Sequence, residues 1–313
     1  MNQSNSLAEI IVVSDEVKQA CLEGKPVVVL ESTVITHGLP YPENMNLACS
    51  MELRVRESGA IPATIGVLEG VVYAGLQPAQ LEFLAQASGL FKLSVRDFAP
   101  AIALKRSGGT TVAGTMLVAH LAGLSVFATA GIGGVHRTAV GEPFDISTDL
   151  TQLARTPVLV VCAGAKAILD LPATLELLET LGVPVLGYQT DEFPAFYSTS
   201  SGLPVSARVD TAKQAAMVAQ AHWSVGNESG VLVTVPPPPE TALPRESVEG
   251  AIETALAEMH AQGIRGQAVS PYLLKRVSEL TAGSSLKANL ALLLNNARVA
   301  AEISIRLAET RRP

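Results

Sequence analysis

The sequence is poor in several kinds of residue whose abundance would point to a particular class of protein. Charged residues make up only 16% of its 313 residues and aromatic residues only 4%, with a single tryptophan. The formal net charge is -7, which argues against general attraction to nucleic acid or to anionic membranes. No run of about 18 apolar residues is present, so no transmembrane helix is expected. The polar segment 1–6 lacks the apolar core of a signal peptide.

Cysteine is also scarce. Cys21, Cys49 and Cys162 are far apart, odd in number and not arranged as a CxxC pair. Neither structural disulfides nor a cysteine zinc site is therefore expected, and a reducing cytoplasm is the expected compartment.

Apolar residues are abundant, at 48%, and 25 glycines accompany them, which fits a large buried α/β sheet. Apolar runs of strand type lie at 27–30, 63–68, 71–74, 125–129, 158–162, 183–187 and 231–235. Helical patterns lie between them at 43–58, 111–122, 172–181 and 211–225, the last with Asp210 as its expected N-cap. This alternation predicts helices on both faces of the sheet. The pair Glu69-Gly70 predicts a hairpin, so we expect a large mixed, mostly parallel sheet.

Proline marks a change in the pattern near residue 236. Four consecutive prolines, Pro236–Pro239, begin a segment, 236–244, that resembles a linker. The residues before it, 1–235, are expected to form the α/β core. The residues after it, 245–313, are mainly helical, with predicted helices at 245–262, 270–280 and 285–309. We expect this helical part to pack on the sheet within a single domain, without an activity of its own.

Two ionisable residues follow predicted strands directly. Lys166 comes after the run at 158–162, and Glu31 comes after the run at 27–30. Ligands of open α/β sheets bind beyond the carboxyl ends of the strands. A partly desolvated lysine there can act as an amine nucleophile, and a carboxyl group with a raised pKa can act as a general acid. The alternatives are a lysine that solvates a helix start and a glutamate that caps a helix or pairs with a lysine.

Two glycine-rich segments suggest ligand contacts. The first, Ser107-Gly-Gly-Thr-Thr-Val112, predicts two glycines opening a helix whose N-terminus suits a phosphate, although a plain helix start is the alternative. It lacks the Gly-Lys-Ser/Thr of a Walker A loop. The second, Thr129-Ala-Gly-Ile-Gly-Gly-Val-His136, would let the backbone approach a ligand closely. Asp145 and Asp149 follow it and offer hard oxygen ligands for Mg²⁺ or Mn²⁺.

Three weaker signals complete the candidate residues. Lys92, Ser94 and Arg96 alternate, so an extended segment would point all three one way and form an anion-facing row; an exposed edge strand is the alternative. Asn289 is an amide on an otherwise apolar helix and needs a partner. His37 is interpreted as a loop histidine rather than a metal ligand. A lysine nucleophile, an acid, a phosphate cradle and a metal position together favour cleavage of a phosphorylated sugar through a lysine adduct.

Several long strings of residues resemble one family, the pseudouridine-5′-phosphate glycosidases, which include the indigoidine synthase A-like proteins. The resemblance covers about residues 27–300 in order. The strings are LESTVITHGLPYP, GAIPATIGVLEG, GGTTVAGTM, VFATAGIGGVHR, FDISTDL, VVCAGAKAILD, GYQTDEFPAFY and SLKANLALLLNNA.

The resemblance implies a three-layer α/β/α fold, a homotrimer, a divalent metal, usually Mn²⁺, and reversible cleavage of pseudouridine 5′-phosphate to uracil and ribose 5-phosphate. It places the nucleophile that forms an imine with the opened sugar at Lys166, the proton donor at Glu31 and the metal ligand at Asp145. It places the substrate contacts at Lys92, Val112 through its backbone, Thr129, His136, Ser147, Thr148, Asp149 and Asn289.

The sequence departs from the family at Ala130, where glycine is common, and in segment 138–143. Both departures bear on substrate preference more than on the reaction. Two other readings stay open at this point. One is a Schiff-base aldolase or lyase acting on another sugar phosphate, which also needs a lysine at a strand end. The other is a nucleotide-binding module without catalytic activity.

Overall fold

A computed structural model of the chain describes residues 10–137 and 145–310. Segment 138–143, where the sequence departs from the family, lies outside the described residues. The strands in chain order are β1 (Ile11–Val13), β2 (Val27–Leu30), β3 (Ile61–Leu68), β4 (Val71–Ala74), β5 (Phe91–Leu93), β6 (Gly108–Thr110), β7 (Val126–Ala128), β8 (Val135–His136), β9 (Leu159–Cys162), β10 (Leu169–Asp170), β11 (Val185–Tyr188), β12 (Ala207–Val209) and β13 (Val231–Thr234).

The α-helices alternate with these strands and then dominate the C-terminal part. They are α1 (Asp15–Leu22), α2 (Glu43–Glu57), α3 (Pro78–Gln86), α4 (Phe98–Ala103), α5 (Val112–Leu121), α6 (Thr148–Leu153), α7 (Leu171–Thr180), α8 (Ala212–Ser224), α9 (Arg245–Ala261), α10 (Val269–Leu280) and α11 (Ser284–Thr310). A π-helical turn, Val34–Gly38, follows β2, and short 3₁₀ turns lie at Val95–Asp97 and Gly266–Ala268.

One large mixed sheet organises the described residues. Its strand order is β1-β4-β3-β2-β7-β9-β13-β11-β12, with β6 on β3 and β5 on β6. The strands from β3 through β2, β7, β9, β13 and β11 to β12 are all parallel to their neighbours, whereas β3 pairs antiparallel with β4 and β6. The predicted hairpin and the predicted mixed, mostly parallel sheet are therefore confirmed.

The central strands are buried on both faces, which explains their unbroken apolar sequences. All four residues of β2, β9, β11 and β13 are buried. Helices cover both faces of the sheet and give the three-layer α/β/α arrangement. The long helix α11 packs against β2, β7 and β9 and against α2 and α8, which places it at the centre of one helical layer.

The elements predicted from long apolar runs agree with the structure to within a few residues, but one predicted cap is wrong. Helix α8 is capped by Thr211 and not by Asp210, because the Thr211 hydroxyl accepts the Gln214 amide at 3.2 Å. The short strands β1, β5, β6 and β12 were not predicted as strands. Each has only three residues, too few for an apolar pattern to be recognisable.

The proline-rich connection lies against the body of the protein. The Leu243 amide donates to the Tyr197 carbonyl at 2.8 Å, and the Ser198 hydroxyl donates to the Leu243 carbonyl at 2.8 Å. These bonds hold the end of the connection against the loop that contains Tyr197 and Ser198. Among the described residues, no helix combines the length and the apolar character needed to span a bilayer.

Candidate active site

A cavity of about 490 Å³ lies between the carboxyl ends of the central strands and the C-terminal helices. Its wall on the sheet side is formed by residues that follow β2, β7 and β9, together with Lys92 of β5. Its opposite wall comes from α10 and the start of α11. Residues from both walls include Glu31, Thr33, His37, Lys92, Ala130, Gly131, Lys166, Phe196, Tyr197, Ser270, Leu274, Lys275, Ser278, Ser285, Leu286 and Asn289.

Glu31 directly follows β2 and is hydrogen-bonded to a residue that follows the neighbouring strand, β7. Thr129 follows β7, which runs parallel to β2, so the two residues meet at the same edge of the sheet. The Thr129 hydroxyl donates a hydrogen bond to Glu31 Oε1. Burial raises the pKa of Glu31, and this effect outweighs the opposing charge of Lys166 and the bond from Thr129. A carboxyl group of this kind can stay protonated and donate a proton.

Lys166 lies on a loop that is bonded to the loop after β7. The Lys166 amide donates to the Ile132 carbonyl at 3.1 Å, and the Ile132 amide donates to the Gly164 carbonyl at 3.1 Å. Gly164 has φ +88°, and a Cβ there would lie 2.6 Å from the Pro194 carbonyl oxygen, so only glycine fits this turn. The predicted strand-end placement of Lys166 is confirmed, and its charge acts on Glu31 across the cavity.

Lys92 contributes a second cation to the sheet wall. Burial lowers the pKa of Lys92, the nearby charge of Lys166 lowers it further, and Asp149 and Glu31 oppose the shift. The predicted row of Lys92, Ser94 and Arg96 is wrong. The chain leaves the extended conformation after Ser94 and turns into the 3₁₀ segment, where the Arg96 side chain is 80% exposed.

The first glycine segment does not open a helix as predicted. Gly108 and Gly109 lie in β6, and α5 begins only at Val112, with Thr111 as its N-cap. A Cβ on Gly109 would lie 2.8 Å from the Ser32 carbonyl oxygen, so these glycines allow β6 to pack against the segment that follows β2. Val112 remains at a helix N-terminus, as the predicted backbone contact requires.

Asp149 occupies that helix N-terminus with its own carboxylate. Its Oδ1 accepts the Ala113 amide of α5 at 2.9 Å, and its Oδ2 accepts the Gly133 amide of the second glycine segment at 2.7 Å. Asp149 is 6% exposed. The carboxylate therefore joins α5 to the glycine loop, and this bridging role could not be inferred from residue spacing.

The remaining predicted residues gather beside Asp149. Ser147 caps α6 and Thr148 is the first residue of that helix. His136 lies in β8, and its amide donates to the Asp145 carbonyl at 2.9 Å. Burial lowers the pKa of His136; the Asp145 carboxylate opposes this, and the cations Lys166 and Lys92 add to it. This second cluster thus lies within electrostatic reach of the cavity.

Asp145 is the exposed carboxylate of that cluster, whereas Asp149 is buried and its oxygens accept from two backbone amides. Within residues 10–137 and 145–310, no group of three or more His, Cys, Asp or Glu side chains is placed to hold a metal ion. A hard divalent cation bound to a phosphorylated ligand needs only one or two protein carboxylates, because phosphate and water oxygens complete its shell. Asp145 fits that requirement.

The cavity lining contains polar groups that have no partner within the described part of the chain. Asn289 Oδ1 and Thr33 Oγ1 are buried and have no hydrogen-bond partner within the described chain. Asn289 was predicted to need a partner, and its position in the cavity wall makes a ligand the available one. Thr33 was not predicted. Its hydroxyl stands out only through its burial, which the sequence does not show.

The chain belongs to the indigoidine synthase A-like family. The family profile, described as indigoidine synthase A like protein, matches residues 16–306. The chain is 54% identical over 297 residues to a pseudouridine-5′-phosphate glycosidase of Herpetosiphon aurantiacus, covering 95% of this chain and 98% of the relative. It is 52% identical over 297 residues to a protein of the same name from Caldanaerobacter subterraneus subsp. tengcongensis, covering 95% and 96%. The resemblance inferred from the sequence is confirmed.

Solved structures of this family share the fold. The crystal structure of the prealnumycin C-glycosynthase AlnA in complex with ribulose 5-phosphate superposes with a TM-score of 0.89 at 44% identity, covering 97% of this chain and 98% of that one. An indigoidine synthase A-like protein from Thermotoga maritima superposes with a TM-score of 0.87 at 36% identity, covering 96% and 97%. The three-layer α/β/α prediction is confirmed.

The predicted residues lie in two adjoining groups in the structure. Glu31, Lys92, Lys166 and Asn289 face the cavity together. Thr129 lies directly behind Glu31, while Val112, His136, Asp145, Ser147, Thr148 and Asp149 form the neighbouring cluster. Sequence reasoning missed Thr33, because its burial is not visible in the sequence. It also missed the aromatic pair Phe196 and Tyr197 and the serines of α10, because segments distant in sequence bring them to the cavity.

Proposed function

We propose that this chain reversibly cleaves the C–C glycosidic bond of pseudouridine 5′-phosphate, giving uracil and ribose 5-phosphate. The observation that carries the proposal is the pair of Glu31 and Lys166. They follow two parallel strands and face one cavity, where a carboxyl group can serve as an acid and an amine can serve as a nucleophile. Relatives more than 50% identical carry the name of this activity. A cavity of about 490 Å³ also lies within the usual size range of small-molecule sites.

The chemistry of a C-glycoside explains why a lysine is needed. The bond to be broken joins two carbons, so there is no leaving-group heteroatom for the two-carboxylate mechanism of ordinary glycosidases to protonate. In the proposed reaction the Lys166 amine adds to C1′ while the ring oxygen leaves with a proton from Glu31. The nitrogen then returns a proton to Glu31, which prepares the acid for the second step.

The C–C bond breaks in that second step. The nitrogen lone pair forms an imine with C1′, the bond electrons pass to C5 of uracil, and Glu31 protonates that carbon. Water then hydrolyses the imine and releases ribose 5-phosphate from Lys166. Burial supports this role for Glu31, because its raised pKa keeps a proton available at higher pH than an exposed glutamate would.

We assign the other predicted residues to substrate binding, with Asp145 holding a divalent metal, Mn²⁺. The substrate-binding residues are Lys92, Val112, Thr129, His136, Ser147, Thr148, Asp149 and Asn289. The metal would supply positive charge for the 5′-phosphate and help to fix its position. Lys92 and the Val112 amide would contribute to the same anion site, since the next two amides of α5 already donate to Asp149 and Thr111.

We also propose a homotrimer that works in the cytoplasm. In such a trimer the other copies would cover apolar side chains that are exposed on the single chain, such as Leu53 at 56% and Leu104 at 63%. Cysteines are few and far apart in the sequence, which suits a reducing compartment. Light scattering of the purified protein would measure the mass, and a monomer would contradict the trimer.

The decisive experiment measures uracil release from pseudouridine 5′-phosphate with Mn²⁺ present. Wild type should release uracil, and Lys166→Ala should not. Borohydride should trap a ribose 5-phosphate adduct on Lys166 of the wild type. No uracil release by the wild type would contradict the proposal, and trapping with a different sugar phosphate would then favour an aldolase.

A further inference from the structure

Asn296 is a buried amide that the reaction scheme does not use. It lies on α11 and is 0% exposed. Its Nδ2 donates to the Thr129 carbonyl at 2.8 Å and to the Ala130 carbonyl at 3.4 Å. These two carbonyls belong to the turn at which the chain leaves β7 and enters the cavity wall. The amide therefore ties the C-terminal helix to the sheet edge of the site.

The same turn holds the carboxyl group of Glu31. Thr129 accepts the Asn296 bond through its carbonyl and donates its hydroxyl to Glu31 Oε1. Its amide donates to the Val161 carbonyl of β9 at 3.0 Å. A continuous path of two hydrogen bonds thus runs from Asn296 through Thr129 to Glu31.

Packing does not explain an amide at this position of the helix. Its buried neighbours, among them Leu292, Leu293 and Ala297, are apolar. Asn296 Oδ1 is buried without a partner in the described chain, which costs free energy that an apolar residue would avoid. What the amide offers in exchange is a neutral donor to two successive carbonyls. A cationic donor in its place would add another charge to a site where Lys166, Lys92 and Asp149 already act on Glu31.

We infer that Asn296 is a positioning residue for the acid: it fixes the turn after β7, and the turn fixes Thr129, whose hydroxyl orients Glu31 towards the substrate. The inference rests on the proposed function, in which Glu31 donates protons to the ring oxygen and to uracil. A proton donor displaced by about 1 Å can lose on the order of 100-fold in rate, so a residue that never contacts the substrate can still control turnover.

The experiment compares Asn296→Ala and the milder Asn296→Ser with Asn295→Ala. Asn295 is a matched control, because it is the adjacent amide on the same helix and its side chain accepts instead from Arg298. For the Asn296 variants we expect kcat to fall about 10- to 100-fold with KM within about twofold. Asn295→Ala should keep wild-type kcat. Equal kcat in all four proteins, with only a lower Tm for the Asn296 variants, would show a purely structural role and overturn the inference.

A double-mutant cycle tests the path through Thr129. Thr129→Val removes the hydroxyl that holds Glu31, so adding Asn296→Ser to it should cause little further loss of kcat. Fully additive losses would show that Asn296 acts by another route and would contradict the inference.

Titration of Glu31 provides a readout that does not depend on turnover. The Thr129 bond lowers the pKa of Glu31, so loosening it should raise that pKa, while Lys166, Lys92, Asp149 and the cavity-lining His37 stay in place. Carbon-13 NMR of the Glu31 carboxyl should show an upward shift in Asn296→Ser relative to wild type. An unchanged titration would overturn the inference even if the wild type proved inactive on pseudouridine 5′-phosphate, an outcome that would count against the proposed function alone.

Discussion

The two walls of the cavity are built in different ways. The sheet wall presents the charged groups Glu31, Lys92 and Lys166, and its loops are joined by backbone hydrogen bonds between the ends of parallel strands. The helical wall presents mainly neutral side chains, among them Ser270, Leu274, Ser278 and Asn289, together with the charged Lys275 and Glu279. In the proposed function, the reacting groups therefore lie on the wall whose loops are joined by backbone hydrogen bonds, and the helical wall serves recognition.

This difference predicts a division of kinetic effects. Substitution of Glu31 or Lys166 on the sheet wall should act mainly on kcat, because it removes a reacting group. A substitution on the helical wall should act mainly on KM, because it removes binding that the ground state and the transition state share.

The strongest test of the sheet wall is Lys166→Ala. Loss of the nucleophile should lower kcat by about 10⁴-fold or more. Uracil release measures the effect, and Lys213→Ala on the exposed side of α8 is the control. Substantial activity in Lys166→Ala would remove the imine from the mechanism and, with it, the assignment of chemistry to this wall.

Glu31→Gln should come next, with kcat lower by about 10²- to 10⁴-fold. Glu52 provides a matched control, since burial also raises the pKa of this carboxyl and a threonine hydroxyl, that of Thr64, also donates to it, at 2.6 Å. Glu52 does not line the cavity, so Glu52→Gln should keep its activity. Equal losses in the two variants would point to a general cost of neutralising a buried acid.

The same pair predicts a pH dependence of stability. A carboxyl whose folded pKa is raised above its usual 4.5 binds more protons in the folded state, so stability falls as pH rises from 4.5 through the raised pKa. Each Gln variant lacks the carboxyl group and should lose less stability than wild type as the pH rises. The Tm of the variant minus the Tm of wild type should therefore increase with pH over this window, and a constant value would contradict the raised pKa values.

On the helical wall, Asn289→Ala should raise KM about 10-fold and change kcat by less than about threefold, because a ligand loses a buried hydrogen-bond partner. Steady-state kinetics on pseudouridine 5′-phosphate would separate the two parameters. A fall in kcat as large as that of Glu31→Gln would abolish the proposed division between the walls.

The smallest effect is expected at Lys275, an exposed cation of α10 at the edge of the cavity. Lys275→Ala should raise KM only about twofold, because exposed charges are screened by solvent. Repeating the assay in high salt should remove most of that difference. A change in KM that persists in high salt would instead indicate direct contact with the ligand.

The sequence predicted the sheet wall far better than the helical wall. Glu31 and Lys166 directly follow long apolar strands, so their place at the edge of the sheet follows from local pattern and the geometry of parallel sheets. Tyr197 and Ser270 reach the cavity only through tertiary packing between distant segments. Asn296 had a signal in its sequence, since it is an amide on an apolar helix, but Asn289 showed the same signal. The neighbouring sequence does not indicate that Asn289 faces the cavity and that Asn296 faces the turn after β7.

The central position of α11 bears on how the protein matures. During synthesis the ribosome completes the strands of the sheet before it makes this helix. The apolar faces of β2, β7 and β9 that α11 covers in the folded protein are therefore uncovered until α11 has been made. The growing polypeptide must therefore keep that surface from associating with other nascent chains. A truncated product that lacks α11 would contain Glu31 and Lys166 yet leave the turn at Thr129 without its anchor.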